Sequence, residues 1–347
     1  MKNLLRFASI LCSLTLIGLV IPSWATANPN ETQPLATPYA EQTWAFSDAL
    51  KIDAKNISGI VVTSDFMALA SDEGYQLELF TPNSVGEWSS AGLIDLTRST
   101  DELDIEGLAW QSPYLYAIGS HSLKRKKLKS ELAQKQNLKR LQEVVEEPAR
   151  HQLFRIKLNK KFKATEIKAM SLDSILHQDP ALKRFTQIPS KENGIDIEGL
   201  GLDEKGRLLI GFRGPVLRGN AVPVLRLKLE KDDFTVKKSK MLYLHTENGG
   251  GIRGISETKS GLLILSGAVG DQNLPYQVSL WNGDNGLQGN DAKTDTLQPL
   301  CELPASTGKP EGIQFLSQTQ QQVRFVIVQD GLTNGQPTTF SCRLPSN

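Results

Sequence analysis

The sequence predicts an all-β fold, a five-bladed β-propeller. Three observations carry that expectation. First, one short phrase recurs. Asp104-Ile105-Glu106-Gly107-Leu108 returns as Asp196-Ile197-Glu198-Gly199-Leu200, with echoes at Ile57-Ser58-Gly59-Ile60, Ile252-Arg253-Gly254-Ile255 and Pro310-Glu311-Gly312-Ile313. A phrase repeated at tens of residues signals a stacked or ring-shaped repeat architecture. Second, each copy opens a run of short apolar strands separated by Gly- and Asp-rich turns. Third, the last unit is one strand short while a spare strand precedes the first, which is how a ring of four-stranded blades closes on itself.

The chain opens with Lys2 and Arg6, an apolar run from Phe7 to Trp24, and Ala25-Thr26-Ala27. That order is the pattern of an export signal, with cleavage expected after Ala27. Residues 28–40 are polar and rich in Pro and Thr, and are expected to form a flexible tail before a propeller domain over 41–347. Thr43-Trp44-Ala45-Phe46 reads as the lone closing strand. The first unit then has strands at 57–63, 66–70, 76–80 and 91–96, and the second at 105–110, 114–119, 152–158 and 164–170. The third has 197–202, 207–212, 222–229 and 237–244, with alternation at Leu225-Leu227-Leu229 and a turn at Asp203-Glu204-Lys205-Gly206. The fourth runs from Ile252 to about Glu302, and the fifth supplies strands near 312–315, 323–328 and 339–344.

The interval from Ile105 to Ile197 is 92 residues, long enough to leave room for a sixth blade. Much of it reads instead as a charged helical insertion over about 123–150. Leu128, Leu132, Leu138, Leu141 and Val145 fall at near-helical spacing, with Glu131/Lys135 and Lys139/Glu143 as i, i+4 pairs. Its opening run Lys124-Arg125-Lys126-Lys127 suits phosphate or an acidic surface, and equally a solvated helix face. A second insertion, Leu172 to Phe185, is expected to add one or two short helices.

Composition excludes one broad class. The chain has 39 Lys+Arg against 38 Asp+Glu, and loss of residues 1–27 would leave 37 against 38. A nucleic-acid-binding protein carries a basic excess that is missing here. Beyond the leader no apolar run is long enough to span a bilayer, so the expected location is periplasmic or secreted. Cys301 and Cys342 follow the leader, and export favours a disulfide between them over two buried thiols. Cys12 lies in the leader. The four histidines are scattered, with no zinc-like spacing. Oligomeric state is left open by the sequence.

In an up-and-down blade the loop into the first strand and the loop out of the second share one face. Five copies therefore place ten loop ends around one mouth of the central channel. That mouth is expected to hold Asp104, Glu106, Asp196, Glu198 and Glu311, with Asp72, Asp271 and Asp330 nearby, and the basic residues His121, Arg213, Arg218 and Arg253. Converging carboxylates cannot all stay ionised without cations among them. Two solutions stand side by side: a hard metal such as Ca²⁺ held by Glu106, Glu198 and Glu311, or neutralisation by the arginines. Glu106, Glu198 and His121 are the candidates for acid–base chemistry, and Asp104, Asp196, Arg213, Arg218, Arg253 and Glu311 for ligand binding. The same acids could instead lock neighbouring blades together by accepting backbone N–H bonds. No nucleophile elbow, zinc-protease helix or phosphate-binding Gly loop occurs.

Asp104-Ile-Glu-Gly-Leu-Ala, Gly119-Ser-His-Ser-Leu-Lys-Arg, Asn193-Gly-Ile-Asp-Ile-Glu-Gly-Leu, Phe212-Arg-Gly-Pro-Val-Leu-Arg-Gly and Pro310-Glu-Gly resemble a bacterial family catalogued as domain of unknown function 3616. The resemblance spans about residues 55–345 and brings no established activity. The Asp-x-Glu-Gly-Leu phrase alone is similar to that of phytase-like and esterase-like propellers, which implies inner-strand acids able to hold calcium. The functional expectation is an exported propeller whose mouth binds a small anionic or polar ligand, with calcium-dependent ester or phosphoester hydrolysis as its chemical use. The alternative is a non-catalytic binding or scaffold propeller whose acids are structural.

Overall fold

The computed structural model describes residues 35–293 and 296–345; the expected export signal and the tail up to residue 34 lie outside the described residues. The first strand is β1 (Tyr39–Thr43). Blade one follows as β2 (Ile57–Val62), β3 (Met67–Ser71), β4 (Gln76–Pro82) and β5 (Trp88–Asp95). The second blade begins with β6 (Ile105–Gln111) and β7 (Tyr114–Gly119). A hairpin of β8 (Leu123–Arg125) and β9 (Val144–Glu146) interrupts it, and β10 (Leu153–Leu158) and β11 (Ala164–Met170) complete it. Blade three is β12 (Asp196–Leu202), β13 (Leu208–Gly214), β14 (Ala221–Leu229) and β15 (Val236–His245). Blade four is β16 (Gly251–Thr258), β17 (Gly261–Gly267), β18 (Gln277–Trp281) and β19 (Leu297–Glu302).

The fifth blade has β20 (Lys309–Gln318), β21 (Gln322–Asp330) and β22 (Thr338–Arg343), and β1 joins it as the fourth strand, giving the order β1-β22-β21-β20. The 92-residue interval contains no sixth four-stranded sheet among the described residues.

Closure differs from expectation in register. The closing strand begins at Tyr39, paired with Ser341, so Tyr39 and Ala40 belong to the sheet and not to the tail. Trp44 and Phe46 lie just past it as anchors. Trp44 stacks on Trp88 of blade one at 5.8 Å between centroids and donates from Nε1 to Thr339 Oγ1 at 2.9 Å. Of the segment read as a strand only Thr43 lies in β1, and Trp44 to Phe46 form the link that packs blade five against blade one. A disulfide, Cys301–Cys342, joins the outer part of blade four to blade five with Cα atoms 6.0 Å apart.

Strand residues alternate between two faces, so each blade buries one row of side chains against each neighbour. In β17, Leu262 and Ile264 pack toward blade three, whereas Leu263 and Leu265 pack toward blade five. Five separate apolar clusters result, one at every blade junction. The cluster between blades two and three is enlarged by the second insertion. Its helix α2 (Asp173–Gln178) and the following loop drive Leu172, Leu176 and Leu182 fully into that junction.

The first insertion departs from the expected long amphipathic helix. Its flanks pair as β8 and β9, and only Gln134–Gln142 is helical, with no buried residue. Leu128, Leu138 and Leu141, which the spacing placed along one helix, are 49%, 54% and 46% exposed. The spacing was helical, but no element of the propeller reaches far enough to cover the stripe.

Candidate functional site at the channel mouth

The inner strands β2, β6, β12, β16 and β20 line the central channel. Each starts opposite the end of its blade's second strand: Ile57 faces Ser71, Ile105 faces Gly119, Asp196 faces Gly214, Gly251 faces Gly267 and Lys309 faces Asp330. All ten loop ends therefore surround one mouth.

The repeated phrase has a local physical meaning beyond its composition. In all five inner strands the pairing register slips at one equivalent place: Ile57/Gly59, Ile105/Gly107, Ile197/Gly199, Ile252/Gly254 and Pro310/Gly312. A slip of this kind is a β-bulge, which leaves one extra residue out of the ladder and re-aims its side chain. The extra residues are Ser58, Glu106, Glu198, Arg253 and Glu311. All five line one waist of the channel, a cavity of about 10 Å³, roughly the room one water needs. The following glycine lets the neighbouring strand approach. A Cβ on Gly107 would stand 2.8 Å from both Glu198 O and Leu200 Cβ across the blade junction.

Two arginines hold the ring together. Arg213, from the end of β13, pairs with Asp196 and reaches Glu198 Oε1 with Nη1 at 2.5 Å. Arg253 is itself one of the five bulge residues. Its Nη1 lies 3.2 Å from Glu198 Oε2 and 3.1 Å from Glu311 Oε1, its Nη2 donates to Ala268 O at 2.9 Å, and Tyr276 covers its face at 5.4 Å. The copy that lost its acid thus carries the counter-charge for two that kept theirs. Ser58 Oγ donates to Ile105 O, tying blade one to blade two.

A second cluster sits above the ring. Asp104 adopts a left-handed backbone, φ 51°, unusual for a residue with a side chain. Its Oδ2 accepts from Ser120 Oγ and from Arg150 Nη1, the latter at 2.8 Å, and Arg150 also pairs with Glu102 and Glu147. Lys309 and Asp330 pair at 2.9 Å on the rim.

Glu106 is different. It has no ion pair or hydrogen bond among the described residues, although it keeps surface open to the channel. Burial raises its carboxyl well above the ordinary range, and Asp104, Glu198, Glu311 and Asp72 push it the same way. Asp72 is pushed up to about 7, chiefly by burial and then by Asp104 and Asp330, and its Oδ1 is buried without a partner. Burial raises Asp196 to about 7 and Glu311 to about 8, against the opposing pull of Arg213 and Arg253 respectively. Among the described residues, the group of Asp72, Glu102, Asp104, Glu106, Asp196, Glu198, Glu311 and Asp330 is met by Arg150, Arg213, Arg253 and Lys309, with Lys124 acting on Glu102 from further out. With acids in excess, burial and mutual repulsion push them toward the protonated form.

The donor set does not fit calcium. Ca²⁺ needs six to eight oxygens free to turn toward it. Glu198 is held by two guanidiniums and Glu311 by one, and those same cations would repel a divalent ion. No group of three His, Cys, Asp or Glu side chains in a metal-holding arrangement occurs among the described residues. Of the two solutions open in the sequence, the structure contains the arginine network.

His121 lies on the expected face but has no free nitrogen: Nδ1 contacts Gly119 O at 2.9 Å, and Nε2 accepts from Leu172 N–H at 3.3 Å. Burial lowers its pKa to about 4, and its Nε2 is engaged by the backbone that opens the second insertion. Arg218 and Asp271 are exposed and outside the network. Sequence reasoning missed Arg150, Glu102 and Ser120. Ser120 lay in a loop already singled out, but nothing local to Arg150 signals that it folds back onto Asp104, 46 residues earlier.

The opposite end of the channel is wider, a cavity of about 300 Å³ walled mainly by apolar residues such as Leu108, Trp110, Leu200, Ile255 and Phe315. Glu257 and Lys259 are its only charged lining residues.

Fold and site together define a class: five-bladed propellers whose channel is bridged by carboxylates and arginines at repeated bulges. Within it, the chain belongs to the family described as protein of unknown function (DUF3616), whose model matches residues 56–339. No curated protein matches the sequence. Among solved structures it is similar to an exo-1,5-α-L-arabinanase from a bovine ruminal metagenomic library, at 13% identity and TM-score 0.42, covering 86% of this chain and 97% of that one. It is also similar to a putative exo-β-1,3-galactanase from Bifidobacterium bifidum s17, at 9% identity and TM-score 0.43, covering 88% and 94%. A hypothetical protein from Leishmania major is similar at 8% identity and TM-score 0.41, covering 88% and 91%.

Proposed function

We propose that the protein is a ligand-binding propeller whose channel mouth receives an ammonium or hydroxyl group of a small polar molecule, with Glu106 as the receiving carboxyl. The observation that carries this is the unequal state of the ring. Glu198 and Glu311 are bound to guanidiniums, while Glu106 has no partner among the described residues. A carboxyl set in the narrow waist without a partner is costly unless it is protonated or something arrives to pair with it. The anionic ligand expected from the sequence is disfavoured, because Arg213 and Arg253 are already engaged by acids. The waist has room for only one small group, so the rest of the ligand would lie outward among Asp72, Asp104 and the rim.

The test is a thermal-shift and calorimetric screen of amines, amino acids and neutral sugars on wild type and Glu106→Gln. The expected result is a ligand that raises the melting temperature of wild type and loses at least about tenfold in affinity in the variant, a charge-assisted hydrogen bond being worth roughly 1.5–3 kcal/mol. Ligands that bind both forms equally would remove Glu106 from the site.

Hydrolysis remains a second reading on one observation. Burial and the neighbouring acids, Asp72 among them, raise the Glu106 carboxyl, and Asp72 is itself raised to about 7, so the mouth pairs two acids of shifted pKa, an arrangement that suits proton transfer. Turnover of ester, phosphoester or glycoside substrates that disappears in Glu106→Gln would establish it. Silence across that panel would leave the binding role alone.

A further inference from the structure

We infer that the first insertion is a membrane-docking element, which sets the channel mouth against an anionic phospholipid surface. Three independent features coincide on it. The first is apolar exposure. Eight large hydrophobic residues of the described chain are exposed, and four of them, Leu128, Leu138, Leu141 and Val144, fall within this one segment. The second is charge. Residues 123–147 hold eight Lys or Arg against four Glu, in a chain whose net charge is +1. Lys124, Arg125 and Lys126 are spent on Glu147, Glu192 and Glu143, but Lys127, Lys129, Lys135 and Lys139 are exposed and have no ion pair among the described residues.

The third feature is rigidity. Asn137 accepts from Lys129 N–H at 3.1 Å and donates to Lys129 O at 2.8 Å, and Arg140 Nε donates to Lys127 O at 2.7 Å. Arg125 clamps the base of the hairpin to Glu192 and to Leu141 O. The projection is therefore built and held, yet α1 (Gln134–Gln142) buries nothing.

Leu138 and Leu141, three apart on the helix, are each about half exposed, and Lys135 and Lys139, also exposed, lie within one turn of Leu138. Leucines between lysines whose stems are apolar and whose heads seek anionic groups match a bilayer interface, where apolar insertion and headgroup attraction add. A protein partner would call for a continuous apolar groove or ridge, whereas here half-exposed leucines alternate with exposed cations along one short hairpin and helix. The insertion leaves the end of β7, the end that opens on the Glu106 mouth. Docking would bring that mouth close to the lipid headgroups.

The test is vesicle flotation of the protein beginning at Asn28. That form removes the apolar leader, which would itself partition, and retains Leu35–Asn347, a single compact unit with all five blades. Vesicles of phosphatidylcholine alone are compared with vesicles containing 30–50% phosphatidylglycerol, at about 50 and 500 mM salt, concentrations chosen to bracket the physiological Debye length of about 8 Å. The expected result is binding to the anionic vesicles at low salt, weaker at high salt and weaker still on phosphatidylcholine. Lys135→Gln with Lys139→Gln should lower partitioning by more than about tenfold, at roughly fivefold per lysine near the surface. Leu138→Ser with Leu141→Ser should abolish the salt-resistant part. All four positions are at the surface, so circular dichroism and melting should match wild type. Absence of binding to anionic vesicles, or binding that both double variants keep, would overturn the inference. Glu106→Gln should float as wild type does, which separates this outcome from that of the ligand site.

Discussion

Replacing Asp72 by Asn tests the electrostatics of the mouth directly. The side chains are nearly the same size, Asp72 Oδ1 has no hydrogen-bond partner to lose, and the backbone N–H bond to Asn56 O at 3.1 Å is untouched. Burial first, then Asp104 and Asp330, raises this carboxyl from 3.8 to about 7. In full, that rise of about three pH units corresponds to roughly 4 kcal/mol at about 1.4 kcal/mol per unit. Asp72 is only partly buried by its surface, so solvent screening brings the expected effect to about 2 kcal/mol.

An acid raised on folding keeps its proton in the native state while the unfolded chain releases it. Its contribution to stability is complete below pH 3.8 and is lost as the pH rises toward about 7. The asparagine variant lacks that loss. Urea denaturation at pH 4, 5, 6, 7 and 8 should show the two proteins converging at the acid end. At pH 8 the variant should be about 2 kcal/mol more stable. Urea is preferred because it is uncharged and leaves the ionic strength unaltered. A difference that does not change with pH, or a variant less stable than wild type at pH 8, would refute the reasoning and with it the acid excess assigned to the mouth.

Two further predictions concern the frame. Arg253→Met should cost about 3–5 kcal/mol in urea denaturation at pH 7, because it leaves Glu198 and Glu311 without a shared cation; a loss under about 1 kcal/mol would mean that Arg213 alone suffices. Reduction of Cys301–Cys342, which closes a separation of 41 residues, should lower stability by about 4 kcal/mol on the chain-entropy estimate. Thiol counting before and after reduction, with melting followed in parallel, checks it, and two free thiols in the oxidised protein would remove the bridge.

The blade count and the face that carries the acids were legible because repetition is a sequence property. Five copies of the Gly phrase mark five inner strands, and antiparallel pairing then places their starts beside the ends of the second strands. The role of Arg253 was visible only as an exception, a cation where the other copies have Glu or Ser. It becomes a counter-ion once the ring brings it within 3.2 Å of Glu198, 55 residues away in sequence. The insertion misled for the opposite reason. Its spacing of leucines is the spacing of a packed helix, and periodicity cannot say whether anything lies opposite. The histidine likewise looked available, since a sequence does not reveal that Leu172 N–H, 51 residues on, occupies its second nitrogen.

By itself the sequence determined an all-β ring of repeated blades, the glycine phrase that starts each inner strand, and a mouth rich in carboxylates. These follow from local alternation, turn chemistry and repeat length, which act within a few residues of each other. Only the tertiary structure decided which acids the arginines pair with, and which one has no partner among the described residues. Charge pairing is a matter of a few ångströms between residues far apart in the chain. Closing the ring sets those distances, and among the described residues they leave Glu106 as the acid of the waist without a partner.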